Sequence, residues 1–204
     1  MNSIIVSGTI VNDPVASHRA IGETFYGCDI MTVRKSGNFD ILPCIVPEVF
    51  TEGLKRGTKV QFIGEIRTRN EVSENGKKRL KVAIFVKNRL NYEGYDEQTV
   101  EIIDGYLCKA PTCRKTPLGR EIADILIASN RPYGKTAYIP CIAWGRNAIR
   151  VANMNVGDKI NAKGRLQSRE YTKRYENGTE EQKVAYELSL NYINTEENAN
   201  GNED

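Results

Sequence analysis

The side chains with the most chemistry to offer lie between Ala137 and Tyr171, in AYIPCIAWGRNAIRVANMNVGDKINAKGRLQSREY, and in the hairpin that follows. Tyr138, Trp144 and Tyr171 are flat rings. Arg146, Arg165, Arg169, Lys173, Arg174, Arg131 and Lys135 are cations interleaved with those rings and with Tyr133 and Tyr175. Rings stack on nucleobases and cations meet phosphates, so one groove offering both can hold a single strand without reading its sequence. Trp144 could instead plug a core. Its parity with Tyr138, opposite Ile139 and Cys141, places it on the outward face of a barrel strand, where inner and outer positions alternate.

Other chemistries find no footing. There is no glycine loop for a nucleotide and no plausible triad, and the carboxylates are scattered without a motif around them. The single histidine, His18, precedes a turn at Gly22, and Cys108 with Cys113 forms a lone C-x4-C pair. A metal site needs more ligands than these. The expectation is therefore a binding protein, not an enzyme, with no cofactor and no metal.

The elements that must position these side chains follow from periodicity. Tyr138, Pro140, Ile142 and Trp144 share one face of a strand, and Ile139, Cys141 and Ala143 the other. A helical stretch follows, with Ala148, Ile149, Ala152 and Met154 expected on one face. Asn155-Val156-Gly157-Asp158 then turns the chain into a strand from Lys159 to Tyr171.

The unit occurs twice. Gly8, Pro14, Gly22 and Pro43-Cys44 recur 97 residues on as Gly105, Pro111, Gly119 and Pro140-Cys141. After three added residues in the helical connection, Gly57, Gly64 and Arg69 recur 100 residues on as Gly157, Gly164 and Arg169. Asn75-Gly76 and Val82-Ala83 recur 102 residues on. The chain divides into domains at 1–92 and 98–193, with a short polar linker, Asn91 to Asp96, and an acidic tail, 194–204, expected to be disordered. Each copy reads as five strands. In the first these are Ile4–Val11, Thr24–Val33, Phe39–Val46, Lys59–Arg69 and Arg79–Leu90, with a helical connection over Val49–Lys55. In the second they are Val100–Cys108, Glu121–Asn130, Thr136–Ala143, Lys159–Tyr171 and Lys183–Tyr192, with a helix over Arg146–Asn153. Asn75-Gly76 suits the tip of a hairpin. Pro43 and Pro140 cannot donate to a ladder, which puts each at an edge or bulge.

The words AWGRNA and VGDKINAKGRLQSREY, the strand–helix–Gly-Asp–strand order, and the opening GTIVNDP with its Gly22 turn resemble the bacterial single-stranded-DNA-binding proteins. The resemblance covers both copies. It implies an all-β chain of two tandem OB-folds, each a five-stranded Greek-key barrel with a short helix. It also implies stacking roles for Tyr138, Trp144 and Tyr171. The first copy departs from this pattern: Ile41, Pro47 and Glu71 replace those rings. Its cations remain, among them Arg34, Lys35, Arg67, Arg69 and Lys77, and the run Lys77 to Lys81 could follow a backbone. The face Phe39, Ile41, Pro43, Ile45, Pro47 is apolar, as partner-binding surfaces are. The family's tail ends in a hydrophobic Pro-Phe tip that docks partner enzymes. This tail ends Gly201-Asn202-Glu203-Asp204, which puts recruitment of replication proteins in doubt.

Composition sets the outer limits. The net charge of +3 rises to +7, 22 acids against 29 bases, once the four acids of the tail are set aside. A basic body with an acidic tail fits a nucleic-acid partner. The first residues lack a basic leader and no run of about 18 apolar residues occurs, so neither signal peptide nor membrane span is expected. Five cysteines in a chain this long do not make a disulfide framework. The expectation is a cytoplasmic, nucleoid-associated protein that binds single-stranded DNA nonspecifically in replication, recombination or repair. An RNA- or primosome-associated OB protein and an interaction scaffold without nucleic acid are the alternatives. For assembly, a homodimer is expected, using the apolar first-copy face or the open edges of the first strands; the competing form is a monomer whose domains pack on each other.

Overall fold

A computed structural model describes residues 1–72, 76, 78–175 and 178–195. Asn75, Lys77, Asn177 and the acidic tail beyond Thr195 lie outside the described residues. The first copy holds β1 (Asn2–Ile10), β2 (Val15–Ala20), β3 (Glu23–Val33), β4 (Phe39–Pro47), β5 (Lys59–Val72) and β6 (Lys78–Leu90). The second holds β7 (Gln98–Leu107), β8 (Thr112–Lys115), β9 (Glu121–Arg131), β10 (Lys135–Trp144), α1 (Arg146–Ala152), β11 (Lys159–Arg174) and β12 (Glu180–Thr195).

Each copy closes into a five-stranded barrel. In the first, β3 pairs with β4, β4 makes a short parallel bridge to β6 at Cys44 and Ile45, β5 joins β6 to β1, and β1 returns to β3. The second repeats this through β9, β10, β12, β11 and β7. The long hairpins β5–β6 and β11–β12 each slip register at a glycine, Gly64 or Gly164. A Cβ at Gly64 would stand 2.2 Å from the Phe85 carbonyl oxygen, and one at Gly164 2.3 Å from that of Ser189. Only glycine lets the strands approach so closely there, which is why both copies keep it.

Inside the barrels the alternation holds: Ile139, Cys141 and Ala143 are buried, as are Ile4, Val6, Ile30, Leu42 and Phe62. Pro43 and Pro140 each sit just before the short parallel bridge, where the strand has one ladder partner. Three expectations need correction. β2 and β8 are further strands, one added to each barrel's edge by a hairpin onto β3 or β9; their residues are almost wholly exposed, so no alternation marks them. The first helical connection shrinks to one 3-10 turn, Glu48–Phe50, and the second copy's three extra residues make room for a true helix. In α1 it is Ala148 and Val151 that are buried, whereas Ile149 is 56% exposed. At 3.6 residues per turn, Val151 shares a line with Ala148 and Ile149 is rotated about 100° away.

The two barrels form one continuous sheet. β1 and β7 pair antiparallel, Ile4 opposite Val100, and each of these also faces its own barrel's bulge glycine. Asn2 then pairs with Ile102, and Val6 with Gln98, as in a twofold-symmetric contact folded into one chain. One extra residue in the second copy is absorbed at Asp104, which has φ 52° and lies where β7 slips against β11. The open edges of the first strands, expected to be free for a second chain, are thus used up inside this one. The linker is fixed as well: Ser7 accepts from the Glu97 N–H at 2.8 Å, and the Val33 N–H donates to Asp96 at 2.8 Å.

The seam is completed by β4 against β11 and β10 against β5. The Ile41 N–H donates to Ser168 Oγ at 3.3 Å, and the Tyr138 N–H donates to Thr68 Oγ1 at 2.8 Å. The apolar first-copy face is therefore partly covered by the second copy. Pro47 is buried, and Phe39 remains 56% exposed.

Candidate nucleic-acid interface

The hairpin β11–β12 runs past the second barrel as a two-stranded ribbon. Along β11, Arg169, Tyr171 and Lys173 have the same parity, so cation and ring alternate on one face, and Tyr175 follows just past the strand's end. The Arg169 guanidinium lies 5.9 Å from the Tyr171 ring centre, and Lys173 Nζ lies 5.1 Å from that of Tyr175. Lys183 of β12, directly opposite Tyr171, reaches Tyr175 from the other side at 5.6 Å. These are cation–π distances. Carboxylates hold the array in place: Arg169 pairs with Glu187 at 3.4 Å, Lys183 with Glu181 at 2.7 Å, and the Tyr175 hydroxyl donates to Glu181. Arg174 has the opposite parity and is bound to Glu180 at 2.7 Å, on the ribbon's other face.

On β10, Tyr138 is 46% exposed beside the seam, and Trp144 is half-buried at the strand's far end. The indole Nε1–H donates to Ser189 Oγ at 3.1 Å, which fixes the ring against β12. Ile142, of the same parity, is only 4% exposed, at the point where β10 has ladder partners on both sides, Asp124 of β9 and Ser189 of β12. Arg146, which opens α1, is exposed next to Trp144. Tyr133, in the β9–β10 turn with φ 61°, is 98% exposed. Sequence reasoning missed Arg120, whose guanidinium lies 5.2 Å from the Trp144 ring centre. The signal was the ladder itself: Ile122 opposite Trp144 brings the entry to β9 alongside the indole.

Four of the expected phosphate-contacting cations, Arg34, Arg165, Arg67 and Arg131, are held by two buried carboxylates, Asp40 and Glu65. Asp40, with no exposed side-chain surface, is gripped by Arg34 and approached by Arg165 at 3.5 Å. It also accepts from the Ser168 N–H at 2.9 Å, and Arg165 reaches Thr32 Oγ1 at 3.3 Å. Glu65 binds Arg67 at 2.7 Å and Lys87 within the first copy, and Arg131 reaches it across the seam at 3.4 Å. Burial alone would raise the Asp40 carboxyl, but the Arg34 hydrogen bond, the Ser168 N–H and the two guanidinium charges outweigh it and hold Asp40 below the ordinary carboxylate range. Glu65 is lowered in the same way: burial pushes it up and the bonds from Lys87 and Arg67 pull it further down. A buried carboxylate needs its counter-charges, and these arginines supply them.

In the first copy, Glu71 stands in the place of Tyr171 and pairs with Arg69 at 3.6 Å and Lys81 at 3.2 Å. Arg67 lies 3.2 Å from the Phe85 ring centre. Lys77 is outside the described residues. Cys28, Cys44 and Cys141 are buried, and burial, with some help from Asp29, pushes Cys28 up to about 12. Among the described residues no group of three His, Cys, Asp or Glu side chains is placed to hold a metal ion. None of the described helices is long and apolar enough to cross a membrane.

With this geometry in view, residues 99–194 match the Single-strand binding protein family. The match spans the second barrel. Over 77 residues the chain is 35% identical to single-stranded DNA-binding protein A of Bacillus subtilis, covering 34% of this chain and 45% of that protein. The single-stranded DNA-binding protein of Oceanobacillus iheyensis is 34% identical over 77 residues, 34% of this chain and 48% of the relative. The chain thus spans about half the length of the curated relatives it matches. The whole two-barrel arrangement is similar to the crystal structure of the wild-type single-stranded DNA binding protein from Thermus aquaticus, with a TM-score of 0.74 at 16% identity, over 100% of this chain and 97% of that one. A deletion mutant of the same protein gives a TM-score of 0.73 at 16% identity, over 100% and 98%. At this identity the likeness is one of fold: two tandem OB-folds.

Proposed function

We propose that the chain binds single-stranded DNA without sequence preference, chiefly through its second domain, in replication, recombination or repair. The observation that carries this is the alternation Arg169, Tyr171, Lys173 on one face of β11, continued by Tyr175 beside Lys173, together with Tyr138 and Trp144 of β10. Bases stack on the rings while the phosphates between them meet Arg169, Lys173 and Arg146. Tyr133, Arg120 and Lys135 extend the track along the barrel. Arg131 and Arg165 cross the seam to Glu65 and Asp40, which Arg67 and Arg34 hold from within the first domain; these four arginines stand behind this track, not in it. Arg69 and Lys77 of the first domain offer charge without rings.

The chain forms a homodimer in this proposal, through a surface other than the first-strand edges. With the first-strand edges consumed, a second chain meets the outer face of the central sheet, where Ile5, Leu90, Ile103 and Tyr192 are 39–50% exposed. Light scattering at micromolar concentration decides it: a mass near one chain, 22.9 kDa, rejects the dimer.

Binding is tested by competing an unstructured DNA oligonucleotide against duplex DNA and against RNA of the same length. The single-stranded DNA should win. Equal retention of duplex would contradict a stacking groove, and a preference for RNA would favour the RNA-associated reading.

A further inference from the structure

The first domain and the linker enclose a cleft of about 540 Å3 that no part of the second-domain track reaches. It is as large as pockets that take small molecules. Met31 and Val33 are its apolar lining, Lys35 and Lys59 its cations beside Arg34, which is already bound to Asp40, and Tyr92 and Tyr95 its rings. Gly94 between the two tyrosines has φ 96°, a backbone turn that brings both to the same cleft. Tyr95 is 55% exposed, and Lys59 Nζ lies 5.0 Å from the Tyr92 ring centre. The one carboxylate lining the cleft, Asp96, has both oxygens engaged, by the Val33 N–H at 2.8 Å and the Tyr92 hydroxyl at 2.8 Å. Beside the cleft, Glu93 accepts from the Tyr95 hydroxyl at 3.4 Å, and Glu97, whose charge also acts on Tyr95, is bonded by Gln61.

Two rings, an apolar lining and an excess of cations are what a nucleotide needs: a face for its base and charge for its phosphate. We propose that this cleft holds one nucleotide unit of a bound single strand, its base against Tyr95 and Tyr92 and its phosphate facing Lys35 and Lys59. The proposal rests on the single-strand reading above and adds a second point of capture. The linker, pinned to the first barrel through Ser7 and Val33, is then part of the binding surface, not a tether. The first domain, without rings at Ile41, Pro47 and Glu71, contributes stacking through linker tyrosines instead.

The test uses the full chain and oligo(dT) of graded length at low salt, with Trp144 fluorescence reporting occupancy of the second domain. In the double variant Lys35→Ala, Tyr95→Ala, oligonucleotides too short to reach from the second domain to the linker should bind as they do to the natural chain. Longer ones should bind about 5- to 150-fold more weakly. Both side chains are exposed, and an unchanged melting temperature verifies the fold. Tyr95→Phe keeps the ring and should restore most of the affinity. Equal affinity at every length, or an equal loss at every length, overturns the proposal alone. An absence of quenching in the natural chain overturns the single-strand reading and the proposal with it.

Discussion

The Tyr138 N–H donates to Thr68 Oγ1 across the domain boundary at 2.8 Å, and the Ile41 N–H makes the matching bond to Ser168 Oγ at 3.3 Å. Tyr138 and Ile41 hold the same place in the two copies, as do Thr68 and Ser168. The barrels therefore grip each other twice by one rule, and the ring of one copy sits where the other has a branched aliphatic. That difference underlies the asymmetry of binding proposed above.

The seam depends on Asp40. Asp40→Ala leaves Arg34 and Arg165 without their carboxylate and should cost about 3–5 kcal/mol. Arg165→Ala should cost less, because Arg34 still pairs. Urea denaturation of the two variants gives the order; a neutral Asp40→Ala would mean that the seam is held by the strands alone.

Acid should loosen this seam. Asp40 and Glu65 have lowered pKa values in the folded chain. Their stabilisation is present above the unfolded carboxylate values, about 3.9–4.3, and is lost as pH falls through the folded values. Melting temperature should be flat above that window and drop below it, with a shallower drop in Asp40→Asn. A variant that follows the natural curve would show that Asp40 does not contribute to it.

Barrel closure can be probed at one atom. A methyl at Gly164 meets the Ser189 carbonyl oxygen at 2.3 Å, so Gly164→Ala should destabilise by about 1–3 kcal/mol. The same holds for Gly64→Ala. A neutral result at either position would mean that the ribbons can part without cost.

Salt should separate the two classes of arginine. On single strands the logarithm of affinity falls by about 0.7 for each phosphate neutralised per unit of log salt. Arg169→Ala with Lys173→Ala should flatten that slope, and Arg165→Ala should leave it unchanged. The reverse pattern would exchange their roles.

Much of this was legible in the chain. The repeated glycines marked both barrels, because closure demands them at the same places. Parity alone placed Tyr138 outward, but it did not foresee that Ile142 on the same face is buried and Trp144 half-buried. What could not be read was whatever depends on long-range pairing. Arg165 looked like a phosphate ligand because the carboxylate that neutralises it, Asp40, lies 125 residues away in sequence. Arg120 passed unnoticed because only the β9–β10 ladder brings it to the indole. Val15–Ala20 gave no strand signal, since an edge strand with both faces in solvent has no buried side to alternate.

The most direct test is a titration of Trp144 fluorescence with oligo(dT). Saturable quenching is expected, weakening steeply with salt, with affinity falling about 5- to 150-fold in Tyr171→Ala and little changed in Glu71→Ala. No quenching and no retention of the oligonucleotide at low salt, or equal losses in both variants, would contradict the account of a second-domain stacking groove.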